Sequence, residues 1–329
     1  MAAPLLAIDN LSVTFPGGKI HERMPAVDGL SLSIEPGQTL ALVGESGCGK
    51  SMTALAIMRL IAKPGRIGAG SRISFEGEDL LAASVPRMRT LRGASIAMIF
   101  QEPMASLNPV QKVGDQVIEA IRLHERITLR AARERAGGLF ERVGIPGARD
   151  RLSAYPHQLS GGLRQRVMIA MMIALRPKLL IADEPTTALD VTVQAQIIGL
   201  LREIQRELGT AILLITHDFG IVNELADRLA VMYAGRIAEE GTRREILGDA
   251  RHPYTQGLMR SIPNVHRRGQ PLEEIAGTVP APGAWPAGCR FTSRCPRAFA
   301  PCRDEPPPTA VIRPGHVVRC HAVTNDPGS

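Results

Sequence analysis

The sequence predicts an α/β fold built on a mostly parallel sheet. Continuously apolar runs recur at 40–43, 96–100, 179–182 and 211–215, and such runs suit strands buried on both faces. Helical patterns separate these runs. The chain has 329 residues, 44% of them hydrophobic, which is enough for a sizeable core and excludes wholesale disorder.

Each zone has its own texture. Residues 1 to about 100 alternate short strands with Gly/Pro turns. Residues from about 102 to 165 are charged and read as helices, best at 113–123 and 129–143. From 166 to 240 strands and helices alternate again. Past residue 250 Pro, Gly and Arg rise and periodicity fades, so 251–329 reads as a loop-rich extension to 1–250, with 265–271 as a linker. No run of about 18 apolar residues exists, so no bilayer span is expected. Residues 1–10 lack a basic segment and a long apolar stretch, so no signal peptide is expected and the chain is placed in the cytoplasm. Lys plus Arg exceed Asp plus Glu by 39 to 32, and this +7 is widely spread. It permits a polyanionic ligand or an anionic membrane surface and demands neither. With 3% aromatics, an aromatic platform for nucleic acid is disfavoured.

The strongest motif is Gly44-Glu45-Ser46-Gly47-Cys48-Gly49-Lys50-Ser51, which fits G-x-x-x-x-G-K-[ST]. It follows the apolar run 40–43 and opens a helical run from Lys50 to about Leu60, with Met52 in its first turn. Glycines let the backbone curl so that successive N–H groups face phosphates, and the helix N-terminus adds partial positive charge. Lys50 is expected to reach the β- and γ-phosphates and Ser51 to ligate Mg²⁺. The bland alternative is a chance glycine turn.

The run 179–182 ends in Asp183-Glu184. Beside such a loop, Asp183 is placed to hold Mg²⁺ through water and Glu184 to polarise an attacking water as general base. Alone, the pair would more often be a solvated helix start. Leu159-Ser160-Gly161-Gly162-Leu163-Arg164-Gln165-Arg166 opens a helical run to Leu175, with Ser160 as N-cap and glycines exposing the first N–H groups. A second phosphate site at a helix end suggests sites shared across a dimer, although an ordinary cap is the plainer reading.

The order of glycine loop, Gln101, Leu-Ser-Gly-Gly, Asp183-Glu184, Ala188-Leu189-Asp190 and His217 resembles the nucleotide-binding subunit of an ABC transporter, over roughly residues 5–263. The resemblance implies a P-loop NTPase (RecA-like) core with an N-terminal antiparallel β-subdomain, a helical subdomain and a C-terminal extension. It implies head-to-tail dimers with ATP between the glycine loop of one subunit and Ser160, Gly161 and Gly162 of the other. It further implies that Gln101 contacts Mg²⁺ and the attacking water, His217 the γ-phosphate, Asp190 the dimer interface and Phe15 the adenine, where a core strand residue is the alternative. The 182–196 and 155–162 segments and His252-Pro253-Tyr254-Thr255 resemble the oligopeptide/dipeptide importer subfamily, and the tail resembles its D-type ATPases. Implied partners are a second ABC ATPase subunit, two transmembrane permease subunits and an extracytoplasmic solute-binding protein, at the cytoplasmic face of the inner membrane. Nickel, glutathione or another small solute is the alternative cargo. A soluble ABC ATPase acting on nucleic acid or the ribosome usually carries two ATPase halves or a long coiled coil, neither of which is visible. Cys48 stands where the family usually has Ser; little loss of binding is expected, because backbone N–H groups do the work there.

Cys289, Cys295, Cys302 and Cys320 crowd the tail, with five, six and seventeen residues between them and no C-x₂-C pair. Four thiolates among prolines suit an iron–sulfur cluster or an irregular Cys₄ zinc site, with free thiols as the alternative. The resemblance favours [4Fe–4S]. His321 is a possible substitute ligand.

Overall fold

The structure, a computed structural model, describes residues 3–17, 23–101, 106–187, 189–261 and 274–324. The expected linker at 265–271, Ala188 and the first residues of the helical zone lie outside these.

Strands β1 (Leu6–Pro16) and β2 (Arg23–Ile34) form an antiparallel pair at the N-terminus, and β3 (Thr39–Val43) enters the central sheet. Short strands β4 (Arg66–Ile67), β5 (Arg72–Phe75) and β6 (Glu78–Asp79) complete the N-terminal sheet, in the order β2-β1-β5-β6 with β4 also on β1. The central sheet adds β7 (Ile96–Ile99), β8 (Leu179–Asp183), β9 (Ala211–Thr216), β10 (Arg228–Tyr233) and β11 (Arg236–Thr242). Strands β10-β3-β9-β8-β7 run parallel in that order, and β11 pairs antiparallel to β10.

The apolar runs are buried on both faces because each face meets a different core. Leu40, Leu42, Leu179, Ile181, Leu213 and Ile215 pack toward the N-terminal sheet and helix α1 (Lys50–Ile57). Ala41, Val43, Leu180, Ala182, Ile212 and Leu214 pack against the helices of the opposite face. Helix α1 ends three residues before the expected Leu60, because the chain turns left-handed at Arg59, φ 50°.

After α2 (Val85–Leu91) come α3 (Val113–His124), α4 (Leu129–Arg142), α5 (Ala148–Arg151) and α6 (Gly161–Ile173), the helical zone read from sequence. Val113, Val117 and Ile121 of α3 and Ala132, Ala136 and Phe140 of α4 are buried at helical spacing. Helices α7 (Val191–Leu208), α8 (Phe219–Leu225), α9 (Arg243–Gly248) and α10 (Pro253–Arg260) follow.

The tail departs from its loop-rich reading. Strands β12 (Thr309–Arg313) and β13 (His316–Arg319) form a hairpin, and β13 pairs with β11, so the tail extends the central sheet. Gly315 at φ 86° makes the turn. Tyr254, just past the compositional break, is fully buried in the same core as the parallel strands.

Among the described residues no helix is long and apolar enough to cross a membrane.

Candidate active site

The glycine loop leaves β3 and enters α1 through backbone conformations only glycine tolerates. Gly44 sits at φ 153°, and a Cβ there would stand 2.2 Å from the Met232 carbonyl oxygen; at Gly49, φ 111°, it would stand 2.6 Å from that of Ala26. The loop therefore curls tightly against β2 and β10. Cys48 points inward and is 1% exposed, with its thiol pushed up by burial. Its side chain faces the core and does not line the cavity above the loop.

Above the loop lies a cavity of about 530 Å³ lined by Glu45, Ser46, Gly47, Gly49, Lys50, Ser51 and Met52, with Gln101, Glu184, Thr187 and His217 on the facing wall. The ends of β7, β8 and β9 bring those last groups together, as the sequence order required. Lys50 is buried, and its Nζ donates to the carbonyls of Gly44 (2.7 Å) and Glu45 (3.1 Å). Beneath the cavity floor, Ser51 hydrogen-bonds the Asp183 carboxyl. Burial raises the Asp183 pKa, while Ser51 and Lys50 hold it down. Asp183 Oδ1 is buried without a hydrogen-bond partner among the described residues. An orphaned carboxylate oxygen beside a hydroxyl fits a hard divalent cation, so the donor set suits Mg²⁺.

Glu184 adopts φ 49°, a left-handed conformation costly for a non-glycine residue. Its amide donates to the Ile215 carbonyl at 2.8 Å, which pins the residue between β8 and β9. His217 Nδ1 lies 2.8 Å from Glu184 Oε1, and Thr187 donates to Oε2 at 3.3 Å. The carboxylate is thus aimed and leaves His217, 70% exposed, open to the cavity.

Ser160, Gly161 and Gly162 do not line this cavity. Ser160 caps α6, accepting from the Leu163 amide at 3.4 Å, and stays exposed. Gly162 has a packing reason as well: a Cβ there would meet Val193 Cγ1 at 2.7 Å. Asp190 caps α7 through the Val193 amide at 2.9 Å and is exposed. Phe15 is half-buried against the N-terminal core and also lies outside the cavity lining, where Ala26 of β2 stands instead.

The four tail cysteines gather without forming a ligand set. Burial pushes Cys289 up to about 11, and Cys302, Cys320 and Cys295 are close enough to add to the rise. The Cys289 amide donates to the Cys302 carbonyl at 2.9 Å. Yet among the described residues no group of three or more His, Cys, Asp or Glu side chains is placed to hold a metal ion, so the expected cluster finds no assembled site. Burial likewise raises the thiols of Cys295 and Cys320 above their ordinary range. His321 Nε2 lies 2.9 Å from the Glu305 carbonyl oxygen, which occupies that ring nitrogen.

Sequence reasoning missed the buried polar knot behind the loop. Glu239 of β11 accepts from the amides of Arg251 (2.7 Å) and His252 (3.0 Å), and His316 Nε2 stands 2.8 Å away with both side chains fully buried. The His252 ring accepts from the Tyr254 amide at 3.0 Å and hydrogen-bonds the Arg319 backbone. Burial drives its pKa down to about 4. The His-Pro-Tyr triplet carried the signal, since Pro at a helix start is a boundary mark, but its partners could not be read.

Comparison with known proteins gives a consistent result. Residues 27–187 match the family model described as ABC transporter, and residues 238–302 that described as oligopeptide/dipeptide transporter, C-terminal region. The chain is 49% identical over 324 residues to the dipeptide transport ATP-binding protein DppD of Escherichia coli (strain K12), covering 98% of each. It is 46% identical over 318 residues to the Bacillus subtilis (strain 168) protein of the same name, covering 96% of this chain and 94% of that one. Among solved structures it resembles a dimeric ATP-binding cassette in a post-hydrolysis state bound to ADP and Pi, with TM-score 0.64, 25% identity, and 73% of this chain and 99% of that one covered. Fold and site together define an ATPase of the P-loop class. The chain belongs to the ATP-binding proteins of ABC transporters, in the oligopeptide/dipeptide group.

Proposed function

We propose that this chain hydrolyses ATP to drive uptake of di- and oligopeptides through a membrane permease. The convergence of Lys50, Ser51, Glu184, Gln101 and His217 on one cavity, with Asp183 bonded to Ser51 behind it, supports the chemistry. Full-length likeness to dipeptide transport proteins supports the cargo.

In this reading the amides of 47–51 and Lys50 bind the β- and γ-phosphates, with Lys50 already anchored by the loop's own carbonyls. Ser51, Asp183 and Gln101 would hold Mg²⁺, which would supply charge neutralisation to the phosphoryl group being transferred. Glu184 takes a proton from the water that attacks the γ-phosphorus, and the bond to the bridging oxygen breaks to leave ADP and phosphate. His217 orients Glu184 and faces the γ-phosphate. Ser160 and Gly161 are exposed and Gly162 half-buried at the α6 N-terminus, and the three serve the ATP of a second ABC ATPase subunit. Two permease subunits supply the pathway, an extracytoplasmic binding protein delivers the solute, and the chain works at the cytoplasmic face of the membrane. The gathering of four thiols in the tail supports a metal-binding role there, but the side chains as placed make no ligand set and no step runs through iron. Anaerobically purified protein with about four irons per chain would establish a cubane cluster; metal-free protein would remove it.

The test of function is ATP hydrolysis by the chain assembled with its permease and binding protein. Turnover is expected to rise on adding di- or tripeptides. Stimulation by nickel or glutathione alone would overturn the peptide reading.

A further inference from the structure

The first residue after Gly44 is gripped from outside the glycine loop. Arg294 donates from Nη1 to Glu45 Oε2 at 2.6 Å and from Nη2 to Oε1 at 2.9 Å, a two-pronged pair between residues 249 positions apart. The other guanidinium N–H groups are also engaged: Nε with the Ala276 carbonyl, Nη2 with that of Ile275, and Nη1 with the Tyr233 hydroxyl. The side chain is 4% exposed, so this fork has one defined geometry. Independently, the Glu45 amide donates to the Tyr254 hydroxyl at 2.9 Å, and Tyr254 is fully buried. Tyr254 and Phe291 pack on Tyr233 edge to face, which fixes the platform on which both contacts rest.

Glu45 also lines the cavity read as the phosphate site. A free carboxylate there would repel the anionic triphosphate. We propose that Arg294 and Tyr254 are positioning residues for ATP: the C-terminal segment fixes the entry to the glycine loop by its amide and cancels the charge of Glu45. This rests on the assignment of the glycine loop as the ATP site. It gives the His-Pro-Tyr triplet a physical role, because His252 and Pro253 start the helix that delivers Tyr254 to the loop.

The experiment is titration of the full chain with a fluorescent ATP analogue and Mg²⁺, alongside thermal melts without nucleotide. Lys50→Ala tests the site itself: unchanged affinity would overturn the ATP-site assignment and the proposal with it. With that control behaving, Arg294→Met is expected to weaken binding about tenfold, a usual size for coupling between two sites. Arg294→Met combined with Glu45→Gln removes both charges and is expected to recover most of the loss. Arg294→Lys keeps the charge without the fork, and its loss is expected to be smaller than that of Arg294→Met. Tyr254→Phe leaves the Glu45 amide unpaired and is expected to weaken binding by a smaller factor. In the assembled transporter, the rise in KM for ATP is expected to exceed the fall in kcat for Arg294→Met. Wild-type affinity in folded Arg294→Met would overturn the proposal. A loss that Glu45→Gln fails to rescue, even partly, would overturn its charge-cancelling half. If Arg294→Met fails to fold, Arg294→Lys and Tyr254→Phe with unchanged affinity would overturn it equally.

Discussion

The cavity above the glycine loop and the buried polar knot hold similar groups in different surroundings. At the cavity, Glu184 sits in a strained backbone conformation and His217 is largely exposed, while Asp183, buried next to Ser51, keeps an orphaned oxygen. In the knot, Glu239 is fully buried and accepts from two amides and stands within hydrogen-bond reach of His316, while the His252 ring is bonded to the Tyr254 amide and the Arg319 backbone. The contrast lies in access rather than in pairing: among the described residues each region keeps an orphaned buried atom, Asp183 Oδ1 and His316 Nδ1, but only the cavity side is open to solvent, at His217. The tail reaches the glycine loop through Arg294 and Tyr254, which contact Glu45.

The comparison can be broken hardest at Glu184. Glu184→Gln keeps the cavity and removes the base, so the assembled transporter is expected to lose about 10²–10⁴-fold in turnover while still binding ATP. Steady-state hydrolysis and nucleotide titration check this, and near-normal turnover would move the base elsewhere.

Tyr254 is the knot's largest buried side chain at the loop. Tyr254→Ala is expected to cost about 3–5 kcal/mol of stability, the usual size for removing a buried large aromatic. Chemical denaturation measures it; a cost below about 1 kcal/mol would mean the tail is only loosely docked.

The pH response sharpens the same contrast. His252 has a folded pKa of about 4, below its ordinary 6.5, because burial opposes the charged ring. The unfolded chain thus binds the extra proton between those values. Stability is full above about pH 6.5 and falls as the pH drops toward 4, by up to about 3 kcal/mol from this group. Acid unfolding of the wild type and His252→Gln is expected to differ in slope across that window.

The smallest effect on this chain's own site is expected at Ser160. It is exposed and outside the cavity lining, so Ser160→Arg is expected to leave ATP affinity of the isolated chain within about twofold. Turnover of the assembled complex is expected to collapse, because the bulky cation blocks the second subunit's nucleotide. Loss of affinity in the isolated chain would place Ser160 in its own site instead.

Much of this was legible because it is local. The apolar runs that become β3, β8 and β9 announce double burial, and the glycine loop and Asp183-Glu184 stand beside them in sequence. What stayed hidden depends on distance along the chain. Nothing near Glu45 announces Arg294, and nothing near Glu239 announces His316, 77 residues on. The hairpin did carry a signal, since Pro314-Gly315 separates two short runs of β-branched residues, but the prolines around it masked the alternation. The left-handed conformation of Glu184 comes from its bond to Ile215 and has no sequence mark. The four cysteines show the opposite failure: a clear sequence cluster whose thiols converge without making a ligand set.

The most direct measurement is an experimental structure of the full-length Glu184→Gln chain with Mg²⁺ and ATP. The account predicts the triphosphate over the 47–51 amides, Mg²⁺ between Ser51 and Asp183, and the Arg294–Glu45 fork intact beneath. A nucleotide bound elsewhere, or a fork opened by ATP, would contradict it.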